Sequence, residues 1–394
     1  MMRNNLLIPI LCCFLLIACE GNTDLPTIRI ASPSIQESNA NETINFEVSL
    51  DSESKNEVQV SYATEANTAI AGEDYIEVSG QITFAPGETI KQIAVTIVGD
   101  EIKEDEEKFA IRLSNPVNAN LGSPSGFGTI TNDDTKLAFS DEGYTTPESY
   151  AGYELQWADE FEGNSLNMND WGFDLGDGCP NLCGWGNSEL EYYTDSEENV
   201  FLSDGKLVIE AKEEVIGGRQ YSSGRIKTKG KQTFRYGRID IRAILPIGQG
   251  VWPALWMLPQ DEVFGGWAAS GEIDIMELVG HEPNVVHGTI HYGGSWPNNK
   301  FTGKGYTLDA GDFIDEFHVF SVVWEEDIIT WYVDDQEYFQ VTKDGLSPDN
   351  YPFNEDFFFL FNVAVGGNWP GSPDATTSFP QRMIVDYVRV FQKL

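Results

Sequence analysis

Positively charged residues are scarce in this 394-residue chain, which has 24 lysines and arginines against 63 aspartates and glutamates. The formal net charge is therefore −39. A surface this acidic repels the phosphates of nucleic acids and the headgroups of anionic membranes, so neither is expected as a partner. An uncharged polysaccharide is compatible with this charge, and the acidic oxygens can also serve as Ca²⁺ ligands.

The chain lacks an apolar run of the length that crosses a membrane as a helix, about 18 residues. The N-terminal apolar run, Leu6–Ala18, follows Arg3 and is too short to span a bilayer, as in a secretory signal peptide. It leads into Leu-Ile-Ala-Cys, which resembles a bacterial lipobox in which Cys19 carries the lipid. We expect a signal peptide at 1–18, a tether at 19–26 and an exported lipoprotein at the outer membrane or cell surface, attached only by its lipid. The alternative is an ordinary signal peptide that happens to contain a cysteine.

Cysteine is also rare, with five in the chain. Cys12 and Cys13 belong to the predicted signal peptide and Cys19 to the lipid anchor, which leaves Cys179 and Cys183. Exported proteins occupy oxidising compartments, so this pair predicts a small disulfide loop. Two free thiols are the alternative. A zinc site is disfavoured because it needs four ligands and no histidine or further cysteine lies nearby in sequence.

Tryptophan and cysteine are both absent between residues 27 and 134. This segment alternates apolar and polar residues in short runs, separated by turn sequences such as Ala85-Pro86-Gly87. Regularly spaced short strands with turn signals predict a small immunoglobulin-like β-sandwich. The expected strands are Thr43–Leu50, Val58–Ala63, Gly80–Phe84, Gln92–Val98 and Phe109–Leu113.

Several motifs of this same segment resemble those of a Calx-beta module. They are Gly72–Tyr75, Gly80–Gly87, Asp100-Glu101 with Glu104–Phe109, and Thr131–Asp134. Modules of this family often bind Ca²⁺ through acidic loops. The candidate ligands implied here are Asp100, Glu101, Asp133 and Asp134. The alternative is that these acids are solvated loop tips.

Helical periodicity is nearly absent from the rest of the chain. After a polar segment at residues 135–150, expected to be a linker, the composition shifts to tryptophan, glycine and tyrosine. Residues 151–394 contain strand-like runs without an internal repeat, which predicts one all-β domain of sandwich or jelly-roll type. The expected strands are Leu207–Ala211, Gly237–Ala243, Glu272–Leu278, His287–Tyr292, His318–Trp324, Ile328–Val333, Phe357–Val363 and Arg382–Phe391.

One of these strands carries three acidic residues, although acids are uncommon in strands. Glu272 and Asp274 share a face because side chains alternate along a strand. Glu277 would point to the other face unless a β-bulge between Asp274 and Glu277 adds a residue. With that bulge, two carboxyl groups can meet the separation of about 5–5.5 Å that retaining glycosidases need. In isolation, such a pattern is more often an amphipathic strand whose polar face lies in water.

Aromatic residues surround this strand in the sequence. Trp252, Trp256 and Trp267 precede it within 20 residues, and His287 and His291 follow it. The apolar faces of sugar rings stack on aromatic side chains, while the sugar hydroxyls need polar partners. Carboxylates that alternate with tryptophans are therefore typical of a carbohydrate-binding cleft.

The acidic strand and other segments resemble glycoside hydrolase family 16, and in particular its laminarinase-type branch. The matching segments are Trp157–Phe161, Trp185–Thr194, Ser223–Ile226, Trp252–Pro259, Ser270–Glu277 and Asn362–Gly371. The resemblance implies a concanavalin-like β-jelly-roll at 151–394 whose concave face binds the glycan. It further implies that Glu272 is the nucleophile, Glu277 the general acid/base, and Asp274 the support of the nucleophile.

The family resemblance also implies which residues hold the sugar. Asn187 and Arg225 would bind sugar hydroxyls on the non-reducing side of the cleaved bond. Asn362 and Trp369 are further candidates, because the glycines at 366 and 367 allow a ligand to approach closely. The walls and lining of the cleft would be Trp252, Trp256, Trp267 and His291. One departure from the family pattern is that Trp267-Ala268-Ala269 stands where Trp-Pro-x is usual.

A structural Ca²⁺ on the convex face is common in the family. The matching positions are Glu160 and Gly205, through backbone oxygens, and Asp386, through its side chain. The resemblance implies no cofactor for catalysis itself.

The sequence therefore predicts a monomeric, retaining endo-hydrolase of β-1,3-glucosidic bonds in a neutral, laminarin-like glucan. The first alternative keeps the fold but changes the substrate to mixed-linkage β-1,3-1,4-glucan or an algal galactan. The second is a non-catalytic glycan-binding lipoprotein, against which the intact set of three carboxylates argues. The third is a Ca²⁺-dependent adhesion protein, which would rest on the N-terminal module alone.

Overall fold

The computed structural model describes residues 25–134, 136–137 and 139–394, which fall into two compact units. The first unit ends at Asp134. The predicted signal peptide and Cys19 lie outside the described residues. Within the described ranges, no helix is long and apolar enough to cross a membrane.

The first unit is a sandwich of two β-sheets, as its alternating pattern predicted. The sheet orders are β6-β3-β1-β8 and β2-β9-β7-β4-β5. Phe46 and Phe109 from facing sheets meet edge to face, with ring centroids 5.6 Å apart, and they anchor a core of alternating apolar side chains. The strands are β1 (Thr27–Ile30), β2 (Ser34–Gln36), β3 (Glu42–Leu50), β4 (Val58–Ala66), β5 (Ser79–Phe84), β6 (Ile90–Ile97), β7 (Glu107–Val117), β8 (Asn120–Leu121) and β9 (Ser125–Thr131).

The second unit is almost entirely β-structure. It contains a 3-10 helix at Cys183–Gly186 and a short helix, α1, at Lys343–Leu346. Its strands are β10 (Tyr153–Asp159), β11 (Gly172–Phe173), β12 (Glu191–Thr194), β13 (Val200–Ser203), β14 (Lys206–Ile216), β15 (Arg219–Lys227), β16 (Gly237–Ile244), β17 (Val251–Pro259), β18 (Glu272–Glu277), β19 (Val285–Gly293), β20 (Asn299–Thr307), β21 (His318–Glu325), β22 (Ile328–Val333), β23 (Gln336–Thr342), β24 (Phe357–Val365) and β25 (Gln381–Lys393).

These strands form two layers that pack face to face. The front sheet has the order β20-β19-β18-β17-β24-β15 and continues through β14 into the back sheet, β14-β25-β16-β21-β22-β23. Buried side chains fill the space between the layers, among them Trp324, Trp331 and Phe361. Ile273 and Ile275 of β18 point into this core. The alternate side chains of β18 therefore face outward from the front sheet, where a ligand can reach them.

Residues 139–150 do not form the expected linker but pack against the second unit. The backbone N–H of Tyr144 donates to the carbonyl of Phe317 at 2.8 Å, and the Tyr150 hydroxyl donates to Asp240 Oδ2 at 2.7 Å. The polar composition of this segment was misleading, because polar groups of the segment bond to polar groups of the domain.

The expected disulfide is present. Cys179 and Cys183 are bonded, with their Cα atoms 4.2 Å apart. Cys183 begins the 3-10 helix that carries Trp185, so the disulfide lies in the loop that presents this indole to the front sheet.

Candidate active site

The predicted β-bulge lies in β18. Asp274 pairs with Thr289 of β19 and Glu277 pairs with His287, so three steps along β18 oppose two steps along β19. The same irregularity appears in the pairing of β18 with β17. The extra residue returns Glu277 to the face that already carries Glu272 and Asp274. All three carboxylates therefore project from the same face of the front sheet, where the predicted cleft would lie.

Glu272 has one hydrogen-bond donor and one nearby imidazole. The indole N–H of Trp267 donates to Glu272 Oε2 at 2.7 Å, and His291 Nε2 lies 3.5 Å from Glu272 Oε1. The same His291 nitrogen lies 3.4 Å from Asp274 Oδ2, which places the imidazole across both carboxylates. Burial and the charge of Asp274 raise the pKa of Glu272 to about 7, against the lowering effect of His291.

His291 provides positive charge at this end of the cleft. Burial alone would lower its pKa, but the bond to Asp274 and the charges of Glu272 and Asp274 outweigh burial and raise the pKa to about 9. The imidazole is therefore protonated near neutral pH. Its charge favours an ionised Glu272, which is the state that a nucleophile requires.

The pKa of Glu277 is shifted in the same direction as that of Glu272, but further. Burial, followed by the charge of Asp274, raises its pKa well above the usual value for a glutamate. A carboxyl group that keeps its proton at neutral pH can act as a general acid. The indole N–H of Trp252 donates to Glu277 Oε1 at 3.2 Å and fixes the direction of the group.

Aromatic rings form the wall beside Glu277. Trp252 and Trp369 meet edge to face with centroids 5.5 Å apart, and Trp369 meets His287 in the same way at 5.1 Å. Trp252 is half-buried and Trp369 is 42% exposed, so both can offer a surface to a sugar. The predicted cleft roles of the two tryptophans remain predictions.

Arg225 lies farther along the front sheet on the other side of β17. Its guanidinium is stacked between Trp185 and Trp256, with its central carbon 4.5 Å and 5.0 Å from the two ring centroids. Arg225 Nε donates to Asp174 Oδ2 at 3.1 Å. Trp185 and Asp174 were not predicted as site residues, because loops bring them to Arg225 and no local pattern links the three.

Asn362 differs from the sequence-based prediction. It is 5% exposed, its Oδ1 accepts from Trp256 Nε1 at 2.8 Å, and its Nδ2 donates to the Tyr193 hydroxyl at 3.2 Å. It shares a face with Arg225, its direct partner on β15, but it is buried and both polar groups of its amide are bonded within the protein, so its role in this structure is to orient Trp256. Asn187 is exposed, as expected for a sugar contact, and its Nδ2 donates to Glu189 Oε1 at 3.1 Å.

The expected Ca²⁺ position on the convex face does not fit a metal ion. Asp386 Oδ2 accepts from Arg242 Nη1 at 2.8 Å, and Asp386 Oδ1 lies 3.4 Å from the ammonium nitrogen of Lys206. Glu160 and Gly205 were predicted to contribute backbone oxygens, so the misfit rests on Asp386 and not on the ion pair between the Glu160 side chain and Arg389. Both oxygens of the predicted carboxylate ligand already face cations, so Ca²⁺ at Asp386 would meet like charge.

A different acidic group lies in the first unit. Carboxylate oxygens of Asp74, Glu104 and Glu107 lie within 4.8 Å of one another. Burial and a bond to Asp74 raise the pKa of Glu107 to about 8, and burial raises that of Glu37 to about 7. Glu107 Oε2 is buried without a hydrogen-bond partner among the described residues. The sequence-based prediction named the loop acids and missed this group, which strand ends and loops bring together.

Residues 187–389 match the family model of glycosyl hydrolases family 16, and residues 22–135 match that of the Calx-beta domain. The first match spans more than half of the chain. The chain belongs to glycosyl hydrolase family 16. The family agrees with the jelly-roll fold and with the three carboxylates on one bulged strand.

Relatives within this family include named glucanases. The chain is 43% identical over 323 residues to glucan endo-1,3-beta-glucosidase A1 of Niallia circulans, covering 73% of the chain and 46% of that protein. It is 41% identical over 250 residues to a beta-glucanase of Rhodothermus marinus, covering 61% of the chain and 85% of that protein. The laminarinase catalytic domain of Thermotoga maritima MSB8 is 45% identical with a TM-score of 0.58, covering 61% of the chain and 99% of that domain. The chain thus spans less than half of the first protein and nearly all of the Thermotoga domain.

Proposed function

We propose that the second unit hydrolyses β-1,3-glucosidic bonds within laminarin-like glucans, with retention of the anomeric configuration. The observation that carries this proposal is the bulged strand β18, whose three carboxylates share one face while tryptophan N–H groups bind two of them. One relative is named a glucan endo-1,3-beta-glucosidase and another a laminarinase, and both names favour this linkage.

The reaction uses the two glutamates in different protonation states. The ionised Glu272 attacks the anomeric carbon while Glu277 donates its proton to the leaving glycosidic oxygen. The glycosyl–oxygen bond breaks and a glycosyl ester of Glu272 forms. The carboxylate of Glu277 then takes a proton from water, which attacks the ester and releases Glu272. Asp274 and His291 set the charge around the nucleophile.

The first experiment is digestion of laminarin, curdlan, lichenan and agarose in parallel, with the products sized. We expect laminarin and curdlan to give short oligosaccharides, and the first product detected by NMR to be the β-anomer. Glu272→Ser and Glu277→Ser should each lower hydrolysis by roughly 10³-fold or more while the fold and glycan binding survive. Wild-type rates of sugar release in both variants would show that the assignment is wrong.

The second candidate is the same chemistry on mixed-linkage β-1,3-1,4-glucan or an algal galactan. Cleavage of lichenan or agarose at a higher kcat/KM than laminarin would favour it. Sulfated galactans are the least favoured of these substrates, because the net charge is −39 and Arg225 is already paired with Asp174.

We further propose that the first unit binds Ca²⁺ at the acidic group of Asp74, Glu104 and Glu107. The support is the proximity of the three carboxylates and the unpartnered, buried Glu107 Oε2. Titration calorimetry of the full chain should give Ca²⁺ heats that Glu107→Gln weakens. Glu106→Gln, an exposed neighbour paired with Lys108, is the matched control. Equal heats in both variants would contradict the proposal.

We also propose that Cys19 is lipidated and anchors the exported protein, which rests on the Leu-Ile-Ala-Cys sequence alone. Cells supplied with labelled palmitate should label the wild-type protein and not Cys19→Ser. Cys13→Ser, in the same apolar segment, is the control and should remain labelled. Label in Cys19→Ser would contradict the proposal.

A further inference from the structure

A row of three side chains crosses the front sheet from the nucleophile to the edge strand β20. Glu272 pairs directly with His291, and His291 pairs directly with Phe301. Residues that are directly opposed on neighbouring antiparallel strands project from the same face, so Phe301 faces the cleft. The ring centroids of His291 and Phe301 are 5.8 Å apart, and Trp267 lies 5.5 Å from His291. The rings form a continuous surface that begins at Glu272.

Phe301 lies open on this surface. It is 70% exposed, while Thr302 and Tyr306, which point the other way from β20, are half-buried, and Tyr306 packs against the core. Single exposed apolar residues are common and carry no meaning alone. Phe301 is not isolated in this way, because it extends an aromatic surface that already contacts the proposed nucleophile, Glu272.

The next two positions after Phe301 on the cleft face of β20 are glycines. Gly303 pairs with Thr289 and Gly305 with His287. A Cβ atom on Gly303 would lie 2.7 Å from Thr289 Oγ1, so a larger residue does not fit there without movement. The phenyl ring of Phe301 therefore projects above the two neighbouring glycine positions on this face of β20.

The orientation of the glycan in the cleft indicates that this surface contacts the leaving group, which is the reducing-end part of the glucan. Arg225 and the rings that stack on it lie on the β24–β15 side of β18, where the family resemblance places the non-reducing end. Strands β19 and β20 lie on the opposite side. Neighbouring strands are about 4.8 Å apart, comparable with the length of one glucosyl residue, so β20 lies about 10 Å from β18. The first leaving-group sugar would then lie over β19 and the second over β20.

We propose that Phe301 is the stacking platform for the second glucosyl residue on the reducing-end side of the cleaved bond. Its phenyl ring offers an apolar face to the apolar face of the pyranose, and the uncharged sugar suits the acidic protein. This assignment rests on the proposed glucanase function and specifies how the same cleft holds the part of the glucan that departs first.

The test compares two substrates that differ at this position. Laminarihexaose can place a sugar over Phe301, whereas an aryl β-laminaribioside has a leaving group that ends before it. In Phe301→Ala, the ratio of kcat/KM for laminarihexaose to kcat/KM for the aryl substrate should fall roughly tenfold. Transfer of the glycosyl group to added laminaribiose should fall as well, because the acceptor occupies the same positions. Phe301→Tyr should restore both, since it keeps the ring.

Phe127→Ala is the matched control, because Phe127 is an exposed aromatic residue of the first unit. It should leave the ratio unchanged. A Phe301→Ala enzyme with the wild-type ratio, or with equal losses on both substrates, would overturn the proposal while the glucanase function stands. A wild-type enzyme that cleaves neither substrate would instead overturn the glucanase function, and the subsite would fall with it.

Discussion

The indole nitrogen of Trp252 lies 3.2 Å from Oε1 of Glu277 and donates a hydrogen bond to it. Burial and the charge of Asp274 raise the pKa of Glu277, and the bond from Trp252 acts in the opposite direction. Trp252 thus stands beside the proposed proton donor and also influences the pKa of its carboxyl group. The two roles can be separated by experiment, because a substitution can remove the N–H and keep an aromatic ring.

Trp252→Phe keeps an aromatic ring and removes the donor. The ionised form of Glu277 then loses a hydrogen bond, so the alkaline limb of the kcat/KM profile should move up by about 0.5–1 pH unit. The measurement is the pH dependence of kcat/KM on laminarin. Trp256→Phe is the control, because its indole N–H binds Asn362 and not a catalytic carboxylate. An alkaline limb that stays in place in Trp252→Phe would contradict this role.

His291→Asn should shift the other limb. The charge of His291 lowers the pKa of Glu272, which is about 7 with that charge in place. Without it, Glu272 ionises at higher pH, and the acid limb of kcat/KM should move up by roughly one pH unit. His287→Asn is the control, since burial lowers the pKa of His287 and this histidine is not among the groups that shift the pKa of Glu272. The idea fails if both variants keep the wild-type acid limb.

Glu277→Gln should stabilise the protein at alkaline pH. A carboxyl group whose pKa is higher in the folded than in the unfolded chain favours folding below the unfolded pKa, and this contribution is lost as the pH rises through the folded pKa. Because glutamine cannot ionise, the variant should exceed the wild type in free energy of unfolding by roughly 1–3 kcal/mol at high pH and match it near pH 4. Denaturant unfolding at several pH values measures this, with the exposed Glu213→Gln as control.

The catalytic strand could be predicted because its constraints are local. The spacing of Glu272, Asp274 and Glu277 cannot place all three on one face of a regular strand, so the hypothesis of a shared site predicted the bulge that β18 has. The alternation of apolar residues likewise predicted the sandwich in the first unit. Period and spacing act over a few residues, which is the range that sequence patterns cover.

The sequence-based predictions differ from the structure where the surroundings of a residue depend on strands that are distant in the sequence. Asn362 was predicted to meet the glycan, yet it lies on β24, a strand whose residues are all buried between neighbours. Strand β20 was not predicted, because its two cleft-facing glycines weaken the strand pattern, and pairing with β19 supplies the hydrogen bonds that define it. Asp386 matched a metal-binding position, but Arg242 and Lys206 come from other strands and satisfy its charge. No local pattern contains these partners.

The substitution Arg225→Lys preserves the charge of the side chain but not its shape. The planar guanidinium stacks between Trp185 and Trp256 while its Nε binds Asp174, and an ammonium group cannot form the same flat, stacked arrangement. We expect KM for laminarin to rise roughly tenfold or more with a smaller change in kcat, because ground-state binding of the non-reducing side is weakened. Arg219→Lys is the control, since Arg219 lies on the same strand β15 and pairs with Asp177. A KM near the wild-type value in Arg225→Lys would mean that the charge of Arg225, and not its stacked geometry, holds the sugar.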